Sequence, residues 1–150
     1  MSNTYKAYLV SSLGAPRNHH SIFIQTHEHG PLTGHLYQVS GNIQTGMYHS
    51  HRAALEPPEK ELEFVGMKLL GIVQREKYDR GEVRRIVDAI EAPRKQFEGP
   101  RRLYPGERLR RCQEWTGEAV GALRESGVLE SEGVEGEEVE NEKETEKGGA

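Results

Sequence analysis

The sequence predicts a small α+β domain, on three observations. Its β-prone, alternating stretches come early, its helical patterns come late, and its last 21 residues lack the apolar content of a core. Chains ordered this way place helices on one face of an antiparallel sheet. The expected domain spans residues 1–129, and an acidic tail follows over 130–150.

The first strand is Tyr5–Ser11, ended by the turn signal Leu13-Gly14-Ala15-Pro16. His20–Gln25 (HSIFIQ) is the second. Alternation puts Ile22 and Ile24 on one face, and His19, Ser21 and Phe23 on the other. THEHGPLTG reads as a loop. HLYQVSG is then a third strand closing a hairpin with the second, and Ile43–His49 is a fourth. His51–Lys60, with Pro57-Pro58, reads as irregular. Glu61–Gln74 is the most apolar stretch. Its mixed β-branched and aromatic content favours a strand or bent strand, with helix as the competitor, and Gly66 and Gly71 interrupt it.

Asp79–Glu91 predicts a helix. Asp79 with Glu82 resembles a capping box, Val83, Ile86, Val87 and Ile90 form one stripe, and Pro93 marks a stop. Arg94–Arg111 is a basic loop with seven Arg or Lys against two Glu. A second helix runs from about Glu107 to Ser126. Cys112, Trp115, Ala119 and Leu123 line one face, with Thr116 and Val120 beside them, and Gly127 is its stop.

The tail carries nine Glu and two Lys, so ordering it would cost more entropy than its burial returns. The whole chain has 20 basic and 24 acidic residues; without the tail, 18 and 15 remain. The formal charge of −4 thus combines a body of +3 with a tail of −7. A single cysteine excludes an internal disulfide and a CxxC site. No run has signal-peptide or transmembrane length, so a cytoplasmic protein without a membrane span is expected. The basic stretch has few aromatics and no nucleic-acid motif, and reads as a solvated loop rather than a nucleic-acid surface.

Cys112 follows Arg108, Arg110 and Arg111 and stands near a helix start, two features that lower a thiol pKa. On its apolar stripe it also fits a packed small side chain. A thiol nucleophile needs a base, and seven histidines are available: 19, 20, 27, 29, 35, 49 and 51. His27-x-His29 and His49-x-His51 have the spacing of strand metal ligands, but both border loops without a cysteine. No metal or other cofactor is assigned.

Three short stretches, in their order, carry a resemblance. NHHSIFI resembles the "HWAIYV" or "YHWALLV" strand of the circularly permuted papain-like enzymes. These include the NlpC-like superfamily and relatives of lecithin:retinol acyltransferase. RCQEW (Arg111–Trp115) is similar to their late "NCxxW" motif. The body also looks like a fungal family of unknown function whose middle landmark, a short "YH" strand, is matched here by LYQV. The resemblance covers about residues 5–129.

It implies a permuted papain-like fold with Cys112 as nucleophile and His19 as base. His20 then falls on a usually aromatic position. Gln38 stands where His is usual, and Gln can orient an imidazole by hydrogen bonding. Arg111 stands where Asn is common. His20 and His35 are the alternative bases, although His35 lies on the opposite face from Gln38. Arg108, Arg111 and Trp115 are expected to meet the substrate.

Two functions follow. One is a thiol-dependent hydrolase or acyltransferase acting on an amide, ester or isopeptide bond of an acyl or peptide-like substrate. The basic loop favours a carboxylate or phosphate on it. The other keeps the fold without the chemistry, as a binding or scaffold module. The sequence names neither the substrate nor the oligomeric state.

Overall fold

β-Branched and aromatic side chains suit a pleated, half-buried surface, and six of the chain's runs pair into one antiparallel sheet. The computed structural model describes residues 3–131. Strands β1 (Thr4–Ser12), β2 (His19–Gln25), β3 (Gly34–Tyr37), β6 (Arg52–Ala54), β7 (Phe64–Gln74) and β10 (Leu129–Glu130) pair in the order β10-β7-β1-β2-β3-β6. Strands β4 (Val39–Asn42) and β5 (Gly46–His49) form a separate ribbon, and β8 (Phe97–Glu98) and β9 (Arg101–Arg102) a second. Helices α1 (Arg75–Asp79), α2 (Glu82–Asp88) and α3 (Cys112–Glu125) complete the mixed α+β domain. No helix among the described residues is long and apolar enough to cross a membrane.

The period-2 pattern sorts the core as expected. Ile22 and Ile24 join Ala7, Tyr37, Val73, Val83, Val87 and Trp115 in the main cluster. Phe23 belongs to a smaller one with Val10, Leu36 and Ala54. Trp115 is fully buried, and its indole N–H donates to the Ile90 carbonyl at 2.8 Å. That bond satisfies the one polar atom this large side chain brings inside.

The structure departs from the sequence reading at several places. The expected third strand divides at Gln38 into β3 and β4. The segment read as irregular contains β6, which pairs with β3 at the sheet edge. The basic loop contains the β8–β9 hairpin.

The expected helix over Asp79–Glu91 is shorter, running as α2 from Glu82 to Asp88, because Gly81 takes a left-handed conformation (φ 81°) just before it; α1 forms over Arg75–Asp79, mostly upstream of the expected helix. Asp79 therefore ends α1 and caps nothing, while Glu82 pairs with Arg80 at 2.9 Å. The second helix starts at Cys112, not Glu107. The Arg110 amide is spent on the Gln96 side-chain oxygen at 2.9 Å, and Arg111 is extended (φ −122°, ψ −167°). Gly127 stops α3 as expected, and the Val128 amide returns to the Leu123 carbonyl. Glu130 is paired in β10 and so belongs to the sheet, while residues 132–150 of the expected tail lie outside the described residues.

Strand β7 is bent, one of the two forms its composition suggests. Its pairing with β1 skips Leu70 and Val65, and Gly71 follows the first irregularity. A side chain at Gly71 would bring its Cβ within 2.1 Å of the Glu130 carbonyl oxygen, so the absence of one lets β10 approach. Gly71→Ala is expected to cost ~1–3 kcal/mol, as overpacking does. Gly66→Ala, which meets open space, is expected to be neutral or slightly stabilising. Urea denaturation of the two variants measures the difference.

Candidate functional site

The site forms where the start of α3 crosses the start of β2. Three contacts span the crossing, and a helix cap supports one of them. The Gln113 side-chain amide donates to the Asn18 carbonyl at 3.0 Å, and the Thr116 hydroxyl reaches the His20 carbonyl at 3.3 Å. Glu114 Oε1 accepts from the Arg111 amide at 2.8 Å, as a residue in the third helical position does in a capping box. It also pairs with Arg17 at 2.7 Å. Burial pushes the Glu114 carboxyl up, but Arg17 and the Arg111 amide hold it below its ordinary value.

This geometry brings together three of the expected residues. The Cys112 thiol and the His19 ring are near enough for each to shift the other's ionisation, and His19 Nε2 lies 3.0 Å from Gln38 Oε1. Gln38 sits buried at the break between β3 and β4. Its NH2 group donates to the Ser50 carbonyl at 3.2 Å, which turns its oxygen toward His19. An acceptor facing Nε2 requires the proton there. The His19 nitrogen left for the thiol is Nδ1, unprotonated in the neutral ring and able to take the thiol proton.

Charge shifts follow from these contacts. Burial pushes the Cys112 thiol up. The His19 hydrogen bond, the His20 backbone amide and the nearby Arg17 outweigh it and hold the thiol below its ordinary 9.0. The hydrogen bond to Cys112 raises His19 above 6.5; burial opposes this and Gln38 adds to it. Both shifts favour a thiolate beside an imidazolium, and the two groups titrate as a pair.

Behind Gln38 stands His51, which the sequence reading singled out only as half of a metal spacing. Its side chain is 1% exposed. His51 Nδ1 accepts from the Gln38 amide at 3.0 Å, so its Nε2 carries the proton and donates to Asp88 Oδ1 at 2.9 Å. Asp88 also accepts from Arg84 at 2.9 Å. Burial pushes His51 below its ordinary value, with Asp88 opposing.

The remaining expectations separate. The His20 carbonyl and amide both serve the site, but the bond to Cys112 comes from the His19 ring; burial lowers the His20 pKa. His35 stacks on Tyr37 at 5.0 Å between ring centres and pairs in the sheet with Ile24 and Ala53. Arg111 lines a cleft of about 280 Å³ together with Cys112. Arg108 does not: it lines a second depression with Glu91, Gln96 and Arg110. Trp115 is a core residue, sealed from any ligand by its own packing.

The paired histidines form no ligand set, although the His49 and His51 rings lie 5.5 Å apart. His27 Nδ1 accepts from the Leu32 amide, and His49 Nε2 donates to the Ile90 carbonyl. No three His, Cys, Asp or Glu side chains gather for a metal among the described residues. Three of the seven cations of the basic stretch are ion-paired, through Arg94–Glu107, Lys95–Glu98 and Arg110–Glu118.

Fold and site together define an α+β protein with a cysteine–histidine–glutamine cluster at the N-terminus of a helix. A family model described as "Family of unknown function (DUF6540)" matches residues 7–130, and the chain belongs to that family. No curated protein and no solved structure matches it.

Two predictions test the electrostatics. Alkylation of native Cys112 by iodoacetamide should follow a pH curve with its midpoint below 9.0, and His19→Gln should move that midpoint up. His20→Gln should leave the curve close to the parent's. The second concerns acid. A folded pKa of His51 below 6.5 means its contribution to stability is present above 6.5 and lost as pH falls through the folded value. Stability should therefore drop as pH falls from 7 toward 5, and His51→Gln should flatten that slope in denaturant titrations. His19 has the opposite sign: its contribution is present below 6.5 and lost as pH rises through its raised folded value.

Proposed function

We propose that the chain is a thiol-dependent hydrolase or acyltransferase with a permuted papain-like arrangement, acting on an amide, ester or isopeptide bond. The observation that carries this reading is the His19 ring, which bonds an oriented Gln38 oxygen at 3.0 Å and lies beside the Cys112 thiol, each raising the other's tendency to ionise. A base within reach of the nucleophile, itself held by a third group, is the arrangement nucleophilic catalysis requires.

The thiol proton passes to His19 Nδ1, and the thiolate sulfur attacks the substrate carbonyl carbon. A C–S bond forms and the carbonyl electron pair moves to oxygen. The Cys112 amide opens α3, where the helix leaves N–H groups without internal partners, and donates to that oxyanion. As the C=O re-forms, the C–N or C–O bond breaks and the imidazolium protonates the leaving group. Water, giving hydrolysis, or an amine or alcohol, giving transfer, then releases the acyl group with His19 as base again. Gln38 keeps the ring aimed throughout. As a neutral amide it orients the imidazolium without adding a carboxylate's charge.

The test is an activated acyl ester followed by intact-mass spectrometry. A thioester adduct on Cys112 is expected in the parent and absent in Cys112→Ala. His19→Ala should lower acylation by ~10²–10⁴-fold, the range of general acid–base assistance. Addition of a primary amine separates the two outcomes, since an acyl-amine product marks transfer. A parent that forms no adduct and turns nothing over would leave the proposal without chemistry.

A further inference from the structure

The cleft beside Cys112 is lined by two arginines, Arg17 and Arg111, and by no Asp or Glu among the described residues. The two cations differ. Arg17 is paired with Glu114 at 2.7 Å. Arg111 stands half-buried next to the thiol, and no described carboxylate lies within ion-pair distance of its guanidinium. A second donor is also available. Asn42 spends its side-chain oxygen on the amides of Gln44 and Thr45, at 2.8 and 3.1 Å, which leaves its NH2 group unpaired among the described residues. Ile43, Met47 and Phe97 supply apolar wall.

We infer that this cleft takes an acyl group that itself carries a carboxylate, with Arg111 and Asn42 receiving the anion and Met47 and Phe97 covering the connecting carbons. The inference rests on the thiol chemistry proposed above and specifies its substrate. A guanidinium and a primary amide are donor-only toward such a ligand, and a planar guanidinium fits a carboxylate with two parallel bonds. A neutral acyl group would leave the Arg111 charge without an acidic partner. The reaction itself is unchanged: the C–S bond forms at the reacting carbonyl while the second, ionised carboxylate stays intact.

Two alkylating probes of nearly equal shape separate this from reactivity in general. Iodoacetate is anionic and iodoacetamide neutral; with each, the thiolate forms a C–S bond and iodide leaves. The ratio of the two rates, taken against the same ratio for a small free thiol at the same pH, reports anion preference and cancels the thiolate fraction. The ratio for native Cys112 should exceed that of the free thiol. Arg111→Gln should lower it by about threefold or more, a change an exposed ion pair can supply, while the variant remains reactive toward iodoacetamide. Arg111→Lys should restore part of it, and added salt should reduce it. Arg108→Gln, on the other depression, should leave it unchanged. Brisk iodoacetamide labelling with a ratio at or below that of the free thiol, or a ratio that Arg111→Gln does not move, overturns the carboxylate preference and leaves the thiol chemistry standing. No faster labelling than in the unfolded chain with either reagent overturns the thiol chemistry, and this inference with it.

Discussion

Everything at the site depends on α3 crossing β2 at one fixed place. The helix brings the thiol and the strand brings the imidazole, so sliding one along the other would part them. Burial of Trp115 fixes the depth of the helix, because its indole N–H must find the Ile90 carbonyl in an interior where unpaired polar atoms are costly. Gln113 then sets the register by donating to the Asn18 carbonyl on one side of His19, while the Thr116 hydroxyl, whose proton goes to the Cys112 carbonyl at 2.8 Å, packs 3.3 Å from the His20 carbonyl on the other. These groups hold His19 from both flanks without using its ring. The ring is left with two nitrogens for Cys112 and Gln38.

Orientation inside the site comes from hydrogen-bond polarity, read outward from the groups that cannot change role. The Ser50 carbonyl can only accept, so the Gln38 NH2 faces it and the Gln38 oxygen faces His19. The Gln38 backbone amide can only donate, so His51 must present an unprotonated Nδ1 and carry its proton toward Asp88. One glutamine thus connects two histidines of opposite character. His19 gains from being charged beside a thiolate, whereas a charged His51 would confront a backbone N–H with another N–H. The break between β3 and β4 makes this possible. A continuous strand through residue 38 would spend the amide on a neighbouring strand, and His51 would have nothing to hold.

Elements with a strong period were legible in the sequence. Alternation in β2 separated Ile22 and Ile24 from Phe23, and the stripe of α3 placed Trp115, Ala119 and Leu123 together. Positions decided by long-range hydrogen bonds were not legible. The α3 start moved from Glu107 to Cys112 because Gln96, many residues upstream, takes the Arg110 amide, and no local propensity encodes that. Gly81 was visible, but glycine inside a helical pattern is usually tolerated, and its left-handed turn moved the start of the expected helix from Asp79 to Glu82. Trp115 was expected both on the apolar stripe of the helix and at the substrate, and the structure gives it to the stripe alone. Three residues along a helix is the spacing of a shared face, and on α3 that face is the core. His19 was one of seven available bases, and it and Gln38 were given their roles only through resemblance to other proteins, since spacing alone does not tell a polar strand end from half of a candidate site.

The two departures from the resembled pattern bear differently on chemistry. At Gln38 an amide replaces an imidazole, and the interaction that matters is kept, an acceptor aimed at His19 Nε2. What is lost is the option of a second titrating ring; His51, one step behind, titrates without touching the reacting pair. At Arg111 the change adds charge instead. An asparagine there would offer a neutral donor beside the thiol, whereas a guanidinium places a fixed positive charge at the mouth of the cleft. That charge bears on whatever binds as well as on the thiolate, and the thiolate already has His19 and Arg17 to favour it. A further cation is therefore redundant for ionising Cys112, and its effect falls mainly on the ligand. On the proposed reading, the conservative change at the strand keeps the His19 partner that a thiol mechanism needs, and the non-conservative one at the helix cap bears on what enters the cleft.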